Sequence, residues 1–243
     1  MRLALISILI FLIFVEIAFS LILDVNINEE IKGKIIYESP NASKNVVSFQ
    51  TEFNNIGSTA YTARARVFVY NNSKLIFNGW SNEEKLMPGD KKAFKIYWSG
   101  QPGNYEYKLR FYFGNEIIES NKTEIKINEI LEQEDIFDVK NFRTYENYVV
   151  FDLLSKKDVK NVIIIPYNYP LGWIFEQKKL ESVNYLKTVK INFYPTIWKP
   201  TKITLAILTE DGKYFSEKTL EMKKEEGILR IFFNIFDSLR LIL

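Results

Sequence analysis

The side chains best equipped for chemistry are the acid pairs Glu29-Glu30, Glu83-Glu84 and Glu225-Glu226. Two carboxylates can cleave a glycosidic bond, but only when they face each other across a sugar. Neighbours on an extended chain point to opposite faces, and these pairs lie in charged loops, so they read as solvated surface. The 243 residues include no histidine and no cysteine. That excludes Ser-His-Asp catalysis, a cysteine nucleophile, thiolate zinc, haem ligation and disulfides. No aspartate-rich loop has the spacing of a calcium site. The expectation is a non-enzyme with no catalytic residues, no metal and no cofactor.

What remains is recognition. Four tryptophans, Trp80, Trp98, Trp173 and Trp198, could stack on sugars. Trp98 lies on the apolar phase of its strand and reads as core. Trp80, Trp173 and Trp198 adjoin glycine, proline or turns and are expected nearer the surface. Arg64, Arg66, Lys108 and Arg110 fall on the polar phases of two strands. They would form a basic stripe if those strands are neighbours, or an ordinary solvated face interspersed with Glu52 and Glu106. The formal charge, 32 − 30 = +2, argues against a nucleic-acid partner. Asn41-Ala42-Ser43, Asn71-Asn72-Ser73 and Asn121-Lys122-Thr123 are sequons, which makes Asn41, Asn71 and Asn121 candidate glycan acceptors in an exported chain.

Export is indicated by residues 1–23. Arg2 precedes Leu3–Val15, where only Ser7 is polar, and small residues follow at Ala18 and Ser20. This pattern fits a signal peptide cleaved between Ser20 and Leu21. Residues 3–23 are also long enough for a membrane anchor. Glu16 would cost about 3 kcal/mol in mid-membrane, less than the gain from the surrounding Leu, Ile, Val and Phe at about 0.3–0.6 kcal/mol each. Both readings place residues 24 onward outside the cytoplasm.

The elements between are strands. Val47, Phe49, Thr51 and Phe53 alternate with polar residues, as do Ala63–Val69, Phe94–Trp98 and Tyr105–Phe113. Turn residues separate them at Asn55–Ser58, Asn71–Ser73, Met87–Asp90, Pro102–Asn104 and Gly114-Asn115. The fold class is therefore all-β: two tandem immunoglobulin-like antiparallel β-sandwiches over residues 24–127 and 136–222. An acidic linker, 128–135, joins them. Strands of the second are expected at Tyr148–Leu154, Val159–Ile165, Trp173–Gln177, Lys187–Phe193, Lys202–Thr209 and Tyr214–Met222, with Asp211-Gly212 in the last hairpin.

The N-terminal segment would be an apolar helix and residues 223–243 an amphipathic one. Phe232, Ile235, Phe236, Leu239, Ile242 and Leu243 share its apolar side, opposite Arg230, Asn234 and Asp237. Residues 228–243 would span about 24 Å, short of the roughly 30 Å apolar core of a bilayer. They suit a membrane interface or a packing surface.

Asn55-Ile56-Gly57-Ser58 with Ala60 and Ala63, Leu86-Met87-Pro88-Gly89-Asp90 and Pro102-Gly103-Asn104-Tyr105 carry a likeness. Over residues 46–127 the chain resembles the cell-adhesion-related sandwich domains of bacterial and archaeal surface proteins. That resemblance implies a tyrosine hydroxyl, here Tyr105, tethered to backbone. Pro170-Leu171-Gly172-Trp173 and Val189–Pro195 look like the accessory sandwich domains found beside some glycosidases. Trp198-Lys199-Pro200-Thr201 departs from their closing Pro-Gly-x-Tyr pattern. Both likenesses imply spacer, adhesive or assembly roles without catalytic residues. The expected partners are the membrane, an envelope protein or a glycan, and the role structural, adhesive or tethering. The alternatives are a glycan-binding module and an accessory subunit of a membrane-anchored surface or secretion assembly.

Overall fold

The computed structural model describes residues 30–43, 46–128 and 133–223. Ser20, Leu21 and the apolar positions Phe232, Ile235, Phe236, Leu239, Ile242 and Leu243 lie outside the described residues. The described residues contain strands and no helix, and none is therefore long and apolar enough to cross a membrane as one.

The first half holds β1 (Gly33–Ser43), β2 (Val46–Asn55), β3 (Tyr61–Asn71), β4 (Lys74–Trp80) and β5 (Glu84–Leu86). It continues with β6 (Lys91–Ser99), β7 (Gly103–Phe113), β8 (Glu116–Glu119) and β9 (Thr123–Ile127). The second half holds β10 (Phe137–Thr144), β11 (Tyr148–Ser155), β12 (Val159–Tyr167) and β13 (Ile174–Phe175). It ends with β14 (Lys178–Val183), β15 (Leu186–Tyr194), β16 (Thr201–Thr209) and β17 (Phe215–Met222).

Sheet β1-β2-β6 faces sheet β4-β3-β7-β8, to which β5 and β9 also pair. Sheet β10-β11-β15-β13 faces sheet β14-β12-β16-β17. The pairings between these strands are antiparallel. The described residues are all-β, built as antiparallel sandwiches.

Turn chemistry sets the strand ends. Asn55 is fully buried; its amide donates to the carbonyls of Thr59 and Leu86 while its Oδ1 accepts from Gly57 N. Gly89 adopts φ +82°, a backbone angle that costs glycine nothing, and its N–H bonds Asn55 O at 2.8 Å. Asn72 and Ser73 both take positive φ, as the mirror-image two-residue turn of the β3–β4 hairpin requires. The Tyr105 hydroxyl donates to Gln101 O at 2.8 Å, the tether that the surface-domain resemblance implied.

In the first core Phe53 stacks on Phe111 at 4.9 Å, and Phe94 meets Phe111 edge-on at 5.5 Å. In the second, Phe175 and Trp173 both stack on Phe193, at 4.9 and 5.6 Å. Val149, Phe151 and Ile191 oppose Val162, Ile164 and Leu205 in the same cluster.

The two cores are not insulated from each other. Strands β12 and β16 are buried on both faces over Val162–Pro166 and Ile203–Thr209. Val162, Ile164, Ile203, Leu205 and Ile207 enter the second core, whereas Ile163, Ile165, Ala206 and Leu208 join the first. The described residues from Ile31 onward form one compact unit. Residues 133–135 of the acidic joint are likewise tied to the second half: Glu134 N donates to Lys213 O, Phe215 N donates to Glu134 O, and the Ser216 hydroxyl donates to Asp135. Glu134 also pairs with Lys157 at 2.7 Å.

Phe53 is fully buried and touches Phe94, Phe111 and Phe113. Phe53→Ala is expected to cost about 3–5 kcal/mol, the range for truncating a core phenylalanine, read as a lower urea midpoint with an unchanged slope.

Candidate functional site

The seam between the halves gathers the residues that the sequence left open to recognition. Alternation along β3 puts Ala63, Ala65 and Val67 into the first core and turns Arg64, Arg66 and Phe68 the other way. The β3–β7 register sets Arg66 opposite Arg110 and Phe68 opposite Lys108. The stripe is therefore real as a row of neighbours, but it is not a solvated face. Arg64 is only 6% exposed and Arg66 7%, because the loop before β13 and the end of β15 cover them. Lys108 and Arg110 stay half-buried and both pair with Glu119, whose carboxyl the Lys108 bond, and then Arg110, hold below its usual range.

Arg66 donates through Nη2 to Asn78 Oδ1 at 2.8 Å and to Leu171 O at 2.7 Å. Its guanidinium lies 4.6 Å from the Phe68 ring centre and 4.5 Å from that of Trp80. Arg64 approaches Glu176 at 3.5 Å and Glu83 at 3.7 Å, and packs 4.9 Å over Tyr194. Thus Arg64 has carboxylates, while Arg66 has neutral acceptors and ring faces. The Nε atoms of both are buried without an acceptor.

Trp80 and Trp173 are 5% and 1% exposed, against the expectation of a surface position. Trp80 donates Nε1–H to Trp173 O across the seam at 3.2 Å, and Trp173 donates to Ile197 O at 3.2 Å. Each buried indole finds an acceptor. Trp198 is half-buried and stacks on Trp173 at 5.4 Å. Trp98 is core, as its phase indicated. Adjacency to glycine fails as a signal of exposure because Gly172 is needed for close approach: a Cβ there would come within 2.7 Å of Thr196 Oγ1.

One contributor gave no sequence signal. The Gln177 side chain behaves as a strand's peptide group toward the edge of β6. Its Oε1 accepts from Tyr97 N and its Nε2 donates to Tyr97 O, both at 2.7 Å and both buried. Tyr169, on the same seam, donates its hydroxyl to Asn78 O at 3.2 Å. Burial pushes its phenol well up, against a smaller opposing effect from Arg66.

Three clefts open along the seam, each lined from both halves. One of about 210 Å³ is bounded by Phe77, Trp98, Ile165 and Tyr167. Another of about 240 Å³ lies among Lys95, Gln177, Lys178 and Lys179. A third of about 370 Å³ is lined by Thr62, Arg64, Arg66, Trp80, Tyr112 and Gly172. Among the described residues no three acidic side chains gather as a metal site would need. Of the acid pairs, Glu83 is exposed beside Arg64 and Glu84 opens β5.

Asn71 closes β3 and is exposed, and Asn121 is exposed in the loop between β8 and β9. Asn41 lies in β1, paired in register with Ser48. The three acceptor candidates are thus dispersed over the first half, and Asn71 also lines the first cleft.

No family model matches the chain, and no curated protein matches it. Among solved structures it is similar to a red sea bream transglutaminase, at 9% identity and a TM-score of 0.28, over 80% of this chain and 31% of that one. It therefore spans under a third of the transglutaminase's length. It is also similar to fibronectin(III)-like modules of Clostridium thermocellum CbhA, at 12% identity and a TM-score of 0.21, over 80% of this chain and 94% of that one.

Replacing Gln177 by Ala would leave the Tyr97 N–H and C=O buried and unpaired, at roughly 1–3 kcal/mol each. Gln177→Glu should be no milder, since a carboxylate cannot donate to Tyr97 O. Equal urea midpoints for wild type and both variants would refute the clamp. Alkali offers a second check. Burial lifts the Tyr61 phenol to about 12, above an unfolded value near 10. The neutral form is favoured in the fold, so stability is intact below about pH 10 and declines as pH rises toward 12. Denaturation midpoints measured from pH 8 to 12 should show that decline, and Tyr61→Phe should lessen it.

Proposed function

We propose that this chain is an exported, non-enzymatic envelope protein with a structural or tethering role at the outer surface of a membrane. The observation that carries this reading is the fate of its candidate chemical groups. Arg64, Arg66, Trp80 and Trp173 are spent on joining two sandwiches, which favours a stiff spacer over a reaction centre. Two central strands buried on both faces, β12 and β16, make the joint resist bending, because opening it would wet Ile163, Ile165 and Leu208.

Placement follows from the ends. Arg2 with the apolar run 3–23 supports passage into or across a membrane, and residues 228–243 carry the apolar side suited to its surface. In this reading the terminal segments hold the protein to the bilayer and the coupled sandwiches stand away from it, presenting a surface to another envelope component.

Cell fractionation tests both halves of the proposal. The full chain should stay with membranes through an alkaline carbonate wash and be cleaved by protease added outside intact cells. Deleting residues 228–243 should release it where the leader is cleaved, and deleting 3–23 as well should release it in every case. Protection from external protease, or release of the full chain by carbonate, would refute the reading.

A further inference from the structure

We propose that one end of the second half, built from the loop before β13 and the loop between β15 and β16, seats in the interfacial region of a lipid bilayer. The inference rests on the membrane reading above and adds which part of the folded body meets the lipid.

The two loops form one stiff surface. Thr196 donates its hydroxyl to Gly172 O, and Trp173 donates Nε1–H to Ile197 O, both at 3.2 Å. Pro170, Pro195 and Pro200 fix backbone angles in the same loops. Although tied down in this way, the loops hold apolar side chains outward. Ile197 is 78% exposed, Leu171 54% and Tyr194 42%. Trp198 stands half-buried beside them, stacked on Trp173. Exposed apolar residues scattered singly are ordinary, whereas a neighbouring set on a rigid support marks a contact surface. Lys199 and Lys202 are exposed next to it, with Glu221 lying 4.0 Å from Lys202 and 2.6 Å from Lys223. Apolar tips beside tryptophan and lysine are the composition that settles at a membrane interface.

The path of the chain says what covers this surface. Met222, the last residue of β17, pairs in register with Thr201, four residues after Ile197. The apolar tail begins at Ile228, five residues beyond Lys223 and so within about 18 Å of it. The other end of the folded body arrives nearby. Ile31 packs on Gly114, 3.1 Å from where a Cβ would lie, and Gly114 lines the third cleft together with Gly172 and Ile174. Leu23 closes the leader's apolar run eight residues before Ile31, within about 29 Å. A bilayer holding either segment is thus brought to the end where Leu171 and Ile197 protrude. A protein partner would require no such coincidence.

The chain has no cysteine, so full-length Ile197→Cys takes a single nitrobenzoxadiazole label. Vesicles of phosphatidylcholine and phosphatidylglycerol should blue-shift its emission and raise it several-fold, and lipid carrying a doxyl group near the headgroup should quench it. The same label on Lys213→Cys should not respond, since β16 separates its two ends by about 26 Å. Leu171→Gln should lower the response of the Ile197 label several-fold, with the urea midpoint and flotation with vesicles preserved. Protein that floats while this label stays in water overturns the docking and leaves the membrane reading standing; protein that does not float overturns both. A response that needs no vesicles and grows with protein concentration assigns the surface to a second copy and overturns the proposal. An equal response from Lys213→Cys, or an unchanged one in Leu171→Gln, does the same.

Discussion

The central strands β12 and β16 of the sheet β14-β12-β16-β17 have no face for water over Val162–Pro166 and Ile203–Thr209. Ile164, Leu205 and Ile207 point into one core, and Ile163, Ile165 and Leu208 into the other. Exposing either set would forgo about 1.5–3 kcal/mol for each large side chain, several times the net worth of any one hydrogen bond at the seam. The second sandwich consequently depends on the first to cover it. Sequence order and strand pairing divide the chain in two, but the burial of apolar surface makes one body of the described residues from Ile31 onward.

Given that apolar contact, the polar groups at its margin act on orientation more than on strength. Arg66 reaching Leu171 O, Trp80 reaching Trp173 O and Gln177 bridging Tyr97 each require both halves in one register. A greasy contact alone is tolerant of sliding, since dispersion and hydration carry little direction. Directional donors that would otherwise be stranded in a dry seam remove that tolerance. The same geometry leaves clefts where loops from the two halves fail to meet, which is why each of the three is lined from both sides.

Much of the fold was legible because it is written in period two. The strands at Val46–Asn55, Tyr61–Asn71, Lys91–Ser99 and Gly103–Phe113 follow their alternating residues. Strand β10 carries no clean alternation because its ladder shifts between Lys140 and Arg143, where Asn141 takes positive φ and breaks the period. Strand β14 buries only Leu180 and Val183, three apart. The site was less legible for a different reason. Alternation distinguishes the core face of a strand from its other face, and it cannot say whether water or a neighbouring sandwich covers that other face. Arg64 and Arg66 were readable as a row and misread as wet. One signal did point to the seam: Val162–Ile165 and Leu205–Leu208 are continuous apolar runs, the pattern of strands covered on both sides.

The edge of β6 shows how the seam also limits association. Tyr97 turns its N–H and C=O away from β2, and the Gln177 amide satisfies both. Residues on a strand alternate in the side to which their amides point, so Lys95 and Ala93 expose theirs along the same edge. An open edge of this kind invites pairing with another chain. Here the inviting stretch is closed at one end by Gln177 and carries Lys91, Lys92 and Lys95, all exposed, at the other. A second copy adding by this edge would bring the same lysines against one another or displace a buried amide pair. Coupling of the halves and discouragement of edge-to-edge growth thus come from the same few residues.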